Sequence, residues 1–315
     1  MANWYSDLLA TIRGTKPRAI GPESTLEEFR AFYVESTKRF GTVPAGAAFE
    51  RTQLGQVKGE WVRVAETQPH RLILYLHGGF YIAGSPETHR ALVARLCKVS
   101  GAAALIVNYR LGPEFPFPAA LRDAVDAYRY LVNKNYPADS IALAGDGSGG
   151  GLAFAAVLAI RNAGLPTPAA CAALSPWADL SLSGWSMMEN RGKDAILSWE
   201  ALFIAARHYL QGANPADMYA SPAFGSLRDF PPIMVHAGST ELLRDDASRL
   251  GELAAAANVP VSVEIYRGMP HLFSACPEIA ESTVSLARIG HFIRAKTPET
   301  TASLSLAKNA GAQAR

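Results

Sequence analysis

The sequence predicts an α/β fold, a mostly parallel central sheet with helices on both faces. Three observations lead there. From about residue 60, short apolar runs alternate with helical stretches. Most of the runs lack clean polar–apolar alternation, which suits strands buried on both faces. The chain has 315 residues, 49% hydrophobic and 18% charged, enough to bury a large core.

The elements follow in order. Near the N-terminus, STLEEFRAFYVESTKRF opens with a capping box, Ser24 to Glu27, and places Leu26, Phe29, Phe32 and Tyr33 on one helical face. RLILYL, AAALIVNY, SIALAG, AACAALS, PPIMVHAG and VSVEIYRG read as strands. PETHRALVARLCKVSG and PAALRDAVDAYRYLVNKN read as helices between them, and strand–helix alternation gives a parallel sheet. SWEALFIAARHYLQG interrupts the alternation. The expected division is a core over 46–179 and 216–297 and a discontinuous helical cap over 1–45 and 180–215. The plainer alternative makes the cap segments ordinary peripheral helices. Residues 298–315, small and polar, read as a flexible tail.

Thirty basic and 28 acidic residues leave a charge of +2 with no basic block, so neither nucleic acid nor an anionic membrane is an expected partner. Cys97, Cys171 and Cys276 are scattered without metal-ligand spacing and read as buried residues of a reducing compartment. The N-terminus lacks the pattern of a signal peptide, and no run approaches the roughly 20 apolar residues of a membrane span. A cytoplasmic protein is expected.

Three motifs carry chemistry. In LYLHGGFYIAGS, two glycines directly after a strand free the backbone to aim N–H groups into a cavity, as an oxyanion hole requires. By itself the motif is equally a tight turn. In LAGDGSGGGLA, a strand runs into a helix through a serine among glycines. A nucleophile elbow leaves no room for side chains two residues to either side of its centre. Centred on Ser148, the flanks are Asp146 and Gly150; centred on Gly147, they are Gly145 and Gly149. The sterics select Gly147, a residue with no attacking atom. In GSTELLRDDASRL followed by YRGMPHLF, an acid beyond one strand and a histidine beyond the next complete the order nucleophile, acid, base. Glu241 is the expected acid. Asp245 and Asp246 are rivals, although a first helical turn favours carboxylates for structural reasons alone. His271 is the expected base, and His77 is expected to brace the oxyanion loop.

These motifs resemble the hormone-sensitive-lipase family of α/β-hydrolases, in its bacterial short-chain esterase branch. HGGF is similar to the family's His-Gly-Gly-Gly box, GDGSGG to its Gly-Asp-Ser-Ala-Gly-Gly elbow, and ELLRDD to its Asp-Pro-Leu-Arg-Asp loop. NYRLGPEFPFPAALRDA and SPWADLS match further segments, and the resemblance runs from about Val57 to Ile293. It implies the α/β-hydrolase fold and a triad of position 147, Glu241 and His271. It implies an oxyanion hole drawn from Gly78, Gly79, Phe80 and Ser148, with the N–H groups of the last three as donors. Phe80 stands where the family has its third glycine. Tyr81, Trp177 and Trp185 are candidate pocket-lining residues. The implied activity is hydrolysis of short-to-medium or aromatic esters through an acyl-enzyme, with no cofactor and no metal. The ligand is a small-molecule ester, and a homodimer is common for this resemblance.

The departure is Gly147, where the family has its serine. Two explanations stand: a change made in a parent carrying GDSSGGGL so as to hold an unreacted ligand, or a natural binder without a nucleophile. Ser148 taking over is a third option, disfavoured because consecutive residues at such a turn diverge. The competing class is a small-molecule receptor on the same fold, like the plant gibberellin receptors that also resemble this family.

Overall fold

The computed structural model describes residues 25–298. Its centre is one eight-stranded sheet in the order β1-β2-β4-β3-β5-β6-β7-β8. The strands are β1 (Ala48–Leu54), β2 (Val57–Arg63), β3 (Gln68–Leu76), β4 (Ala102–Asn108), β5 (Ile141–Asp146), β6 (Ala170–Leu174), β7 (Ile233–Gly238) and β8 (Val261–Tyr266). All six apolar runs of the sequence are strands, and from β4 to β8 the pairing is parallel. The sequence reading missed β1, a largely exposed strand, and β2, to which it is joined as an antiparallel hairpin; β2 in turn pairs antiparallel with β4. The hairpin's exposed residues blur its apolar pattern. The edge strand β8 is only partly buried, unlike the two-sided burial expected of these runs.

The central strands read as continuous apolar runs because each feeds two cores. Leu72, Leu74, Leu76, Leu143 and Val235 pack into the larger core. Their alternates Ile73, Tyr75, Ala142, Ala144 and Ala172 pack into a second one. The helices of the layers are α2 (Pro86–Ser100) and α8 (Ala280–Lys296) on one face, with α3 (Ala119–Asn133), α4 (Gly147–Asn162) and α7 (Arg244–Ala256) on the other.

The first described helix is α1 (Leu26–Ser36). Its capping box is Thr25 with Glu28, one residue later than Ser24 with Glu27, because Thr25 is the last extended residue before the helix. Ser24 lies outside the described residues. On α1, Phe29 and Tyr33 are buried while Leu26 and Phe32 are half-buried. Phe29 and Tyr33 meet the Phe80 ring edge-on at 5.3 and 6.4 Å. Arg30 ties α1 to the sheet's carboxyl end through Ile82 C=O at 2.7 Å and Gly112 C=O at 3.0 Å. The 180–215 segment contains the short α5 (Ser186–Glu189) and α6 (Trp199–Leu210). From α6, Tyr209 stacks on Tyr81 at 4.1 Å, and its C=O accepts from Phe117 N–H at 2.8 Å. Both segments therefore seat on the loops after β3 and β4.

The order β4-β3-β5 makes the chain cross from one side of β3 to the other. Such a reversal opens a crevice beyond the strands' carboxyl ends, where ligands of open α/β sheets bind. The three motifs converge there.

Candidate active site

Between β5 and α4 there is no loop: Asp146 ends the strand and Gly147 starts the helix. The turn is possible because Gly147 takes φ +51°, in the left-handed region. The glycines two residues away are obligatory. A Cβ on Gly145 would lie 2.3 Å from Gly149 C=O oxygen, and one on Gly149 would lie 2.0 Å from that of Leu76. A Cβ on Gly147 is different. It meets only His271, at 3.7 Å from Nε2 and 3.9 Å from Cε1. Position 147 therefore looks straight at the imidazole.

The residues on either side of Gly147 have another task. Asp146 Oδ1 accepts the Gly78 N–H at 3.0 Å and the Tyr75 hydroxyl at 2.7 Å, while Oδ2 lies 3.3 Å from His89 Nε2. Ser148 Oγ accepts the Tyr81 N–H at 3.2 Å. The loop after β3 is thus pinned to the elbow at Gly78 and at Tyr81. Between these pins lie Gly79 and Phe80, whose N–H groups have no acceptor among the described residues. Ser148 adds an N–H from the first turn of α4, where helices leave donors without an intrahelical partner. Gly78 is corrected as an oxyanion candidate: its N–H is already committed to Asp146.

Burial pushes the Asp146 carboxyl up, but His89, Tyr75 and the Gly78 N–H outweigh it and hold the group below the usual carboxylate range. His77 sits under the same loop, its Nδ1 2.8 Å from Gly78 C=O and its ring stacked on Tyr109. Burial, with His89 adding to it, lowers its pKa to about 3. A histidine neutral across the working range is a brace and not a proton carrier. Phe80 itself takes φ +60°, a conformation that a glycine adopts freely.

Glu241 and His271 come from the loops after β7 and β8. His271 Nδ1 is 3.1 Å from Glu241 Oε2. Glu241 Oε1 accepts the Ser175 hydroxyl at 2.7 Å and also the Gly238 N–H. Ser175 in turn accepts Leu272 N–H at 3.1 Å, so one hydroxyl ties the acid to the chain beside the base. Burial raises the Glu241 pKa, against the hydrogen bonds from His271 and Ser175. The rivals are occupied elsewhere. Asp245 takes Ser186 N–H at 2.8 Å, and Asp246 takes the N–H groups of Ala178 and Asp179 at 2.7 and 2.8 Å.

Two of the three pocket-lining candidates need correction. Tyr81 and Trp177 are each only 1% exposed and pack on each other, with Tyr81 also stacked on Tyr209, so they belong to the core and offer no lining surface. Trp185 is 66% exposed at the start of α5. Sequence reasoning also missed the supporting roles of Tyr75, His89 and Ser175. Asp146 carries a signal in the sequence, a carboxylate beside the elbow, whose role is to hold the loop after β3.

The comparisons with known proteins agree with this architecture. A family model described as alpha/beta hydrolase fold matches residues 73–275. The chain is 41% identical to an acetyl-hydrolase of Streptomyces hygroscopicus over 277 residues, 87% of this chain and 91% of that protein. It is 35% identical to an esterase of Acinetobacter venetianus, over 74% of this chain and 81% of that one. Among solved structures, an esterase from the bacterial hormone-sensitive lipase family superposes with a TM-score of 0.88 at 36% identity, covering 93% of this chain and 98% of that one. EstE5 soaked with p-nitrophenyl butyrate superposes with a TM-score of 0.88 at 34% identity, covering 94% and 99%. The chain belongs to the α/β-hydrolase family, in the bacterial hormone-sensitive-lipase branch, and its relatives include esterases.

Proposed function

We propose that this chain is a carboxylic-ester hydrolase silenced at its nucleophile, which holds a small ester and turns it over negligibly. One observation carries the reading. The side-chain direction at Gly147 faces His271 Nε2, while the neighbouring Ser148 hydroxyl is held by Tyr81 N–H. An ester carbonyl would sit with its oxygen toward the N–H groups of Gly79, Phe80 and Ser148. Residues 180–215, with residues 25–45, would close over it as a cap.

With a serine at 147, Oγ lies one bond beyond Cβ, within hydrogen-bond reach of Nε2. His271 then takes the hydroxyl proton as oxygen attacks the carbonyl carbon. Glu241 holds the imidazolium, and the oxyanion donors take up the negative charge. The same imidazole returns its proton to the leaving alcohol, and water, activated in turn by His271, releases the acid. Without the hydroxyl the first bond cannot form, a loss on the order of 10⁶ in turnover.

The test is Gly147→Ser assayed on p-nitrophenyl butyrate. The expected result is a gain on the order of 10⁵–10⁶ with a burst of p-nitrophenol. A restored chain silent towards a panel of short esters would point to a receptor instead. Substantial turnover by the unsubstituted chain that disappears with Ser148→Ala would move the nucleophile to Ser148.

A further inference from the structure

The peptide unit leading out of Glu241 is gripped at both ends by a segment the triad chemistry does not use. Its C=O, that of Glu241, accepts Asn190 Nδ2 at 2.7 Å, and the same amide reaches Ser239 C=O at 3.1 Å. Its N–H, that of Leu242, donates to Asp194 Oδ2 at 2.9 Å. The other oxygen of Asp194 takes the N–H groups of Ile196 and Leu197, which closes the Asp194 loop on itself. Asn190 is 2% exposed and Asp194 is 9% exposed. Next to this grip, Ser186 Oγ donates to Leu242 C=O at 2.5 Å.

Glu241 stands in the turn between β7 and α7, where no strand ladder fixes its backbone. A peptide plane held at both C=O and N–H cannot rotate without breaking buried hydrogen bonds. That plane sets the direction of the Glu241 side chain, and a catalytic constellation tolerates only about 0.5 Å of error. We propose that Asn190 and Asp194 are positioning residues for Glu241. They orient the Glu241–Leu242 peptide and thereby hold the carboxylate against His271 Nδ1. The role rests on reading Glu241 and His271 as acid and base. It also couples residues 186–197, part of the proposed cap, to the triad.

The test uses the full chain as it stands. Low-field proton NMR follows the His271 Nδ1 proton shared with Glu241 in Asn190→Leu and Asp194→Asn, with thermal melting recorded alongside. In Asn190→Leu the resonance should move upfield or broaden beyond detection. In Asp194→Asn, which keeps the shape, it should move less. In a Gly147→Ser background, Asn190→Leu should lower kcat about tenfold or more with KM within about twofold. A folded Asn190→Leu whose resonance matches the unsubstituted chain overturns the proposal. So does an effect confined to KM, which marks a wall of the pocket. If Asn190→Leu does not fold, Asp194→Asn carries the same readings. Absence of the resonance from the unsubstituted chain removes the shared hydrogen bond, and the proposal with it. A silent Gly147→Ser chain sinks the hydrolase reading and leaves the NMR result standing.

Discussion

The two halves of the site are made by different means. The elbow turn rests on close backbone approach, with Gly145 and Gly149 packed where no Cβ fits, and the Asp146 and Ser148 side chains pin the loop after β3 to it. The acid–base half rests on side-chain hydrogen bonds. Ser175, Asn190 and Asp194 each reach the Glu241 loop from outside it. Backbone packing fixes a shape that cannot be adjusted by small steps. Hydrogen bonds fix a shape that each substitution loosens by a measurable amount. Damage to the first half should therefore be abrupt, and damage to the second graded.

Gly149→Ala is the strongest way to break that contrast. Its Cβ would sit 2.0 Å from a backbone oxygen, so a loss of about 4 kcal/mol or an insoluble chain is expected, read by urea denaturation. A soluble variant of ordinary stability would mean the elbow is softer than its geometry. Asp146→Ala comes next. It strips the buried partners Gly78 N–H, the Tyr75 hydroxyl and His89 together, and should cost about 3 kcal/mol in the same assay. Ser175→Ala should cost only about 1–2 kcal/mol, leaving Leu272 N–H without its acceptor.

A further test is one of pH. Burial pushes His77 down to about 3 and His236 down to about 4. Both are neutral when folded, whereas the unfolded chain protonates them below about 6.5. The unfolded state therefore binds more protons in acid. Stability should be full above that pH and fall as pH drops towards 4, by at most about 1.4 kcal/mol per unit for each histidine. Melting curves between pH 7 and 4 check this, and His77→Gln should flatten them. A melting temperature unchanged over that range would contradict the neutral state of these rings.

The same contrast explains what could be read from the sequence. The strands were legible because two-sided burial writes uninterrupted apolar runs, and the elbow because steric exclusion writes glycines at fixed spacing. The exclusion test even separated Gly147 from Ser148 by their flanks. The hairpin of β1 and β2 was not legible, since β1 is largely exposed and exposed residues interrupt β2, so neither carries an apolar run. Nor were His89, Asn190 and Asp194, whose partners lie 57, 51 and 48 residues away in the chain. A long-range hydrogen bond leaves no local pattern. Tyr81 and Trp177 misled because aromatic residues beside a site motif look like pocket walls, whereas these two fill the space beneath it.

The left-handed angle at position 147 has a thermodynamic side. A residue with a Cβ held at φ +51° gives up roughly 1–2 kcal/mol that glycine keeps. Restoring serine should therefore lower the melting temperature of this chain even as it restores turnover. Among the elbow glycines 145, 147 and 149, only 147 leaves space for a substituent. The scaffold thus concentrates its choice between reactivity and conformational ease at a single backbone position. A chain carrying glycine there has settled into the more relaxed of the two states.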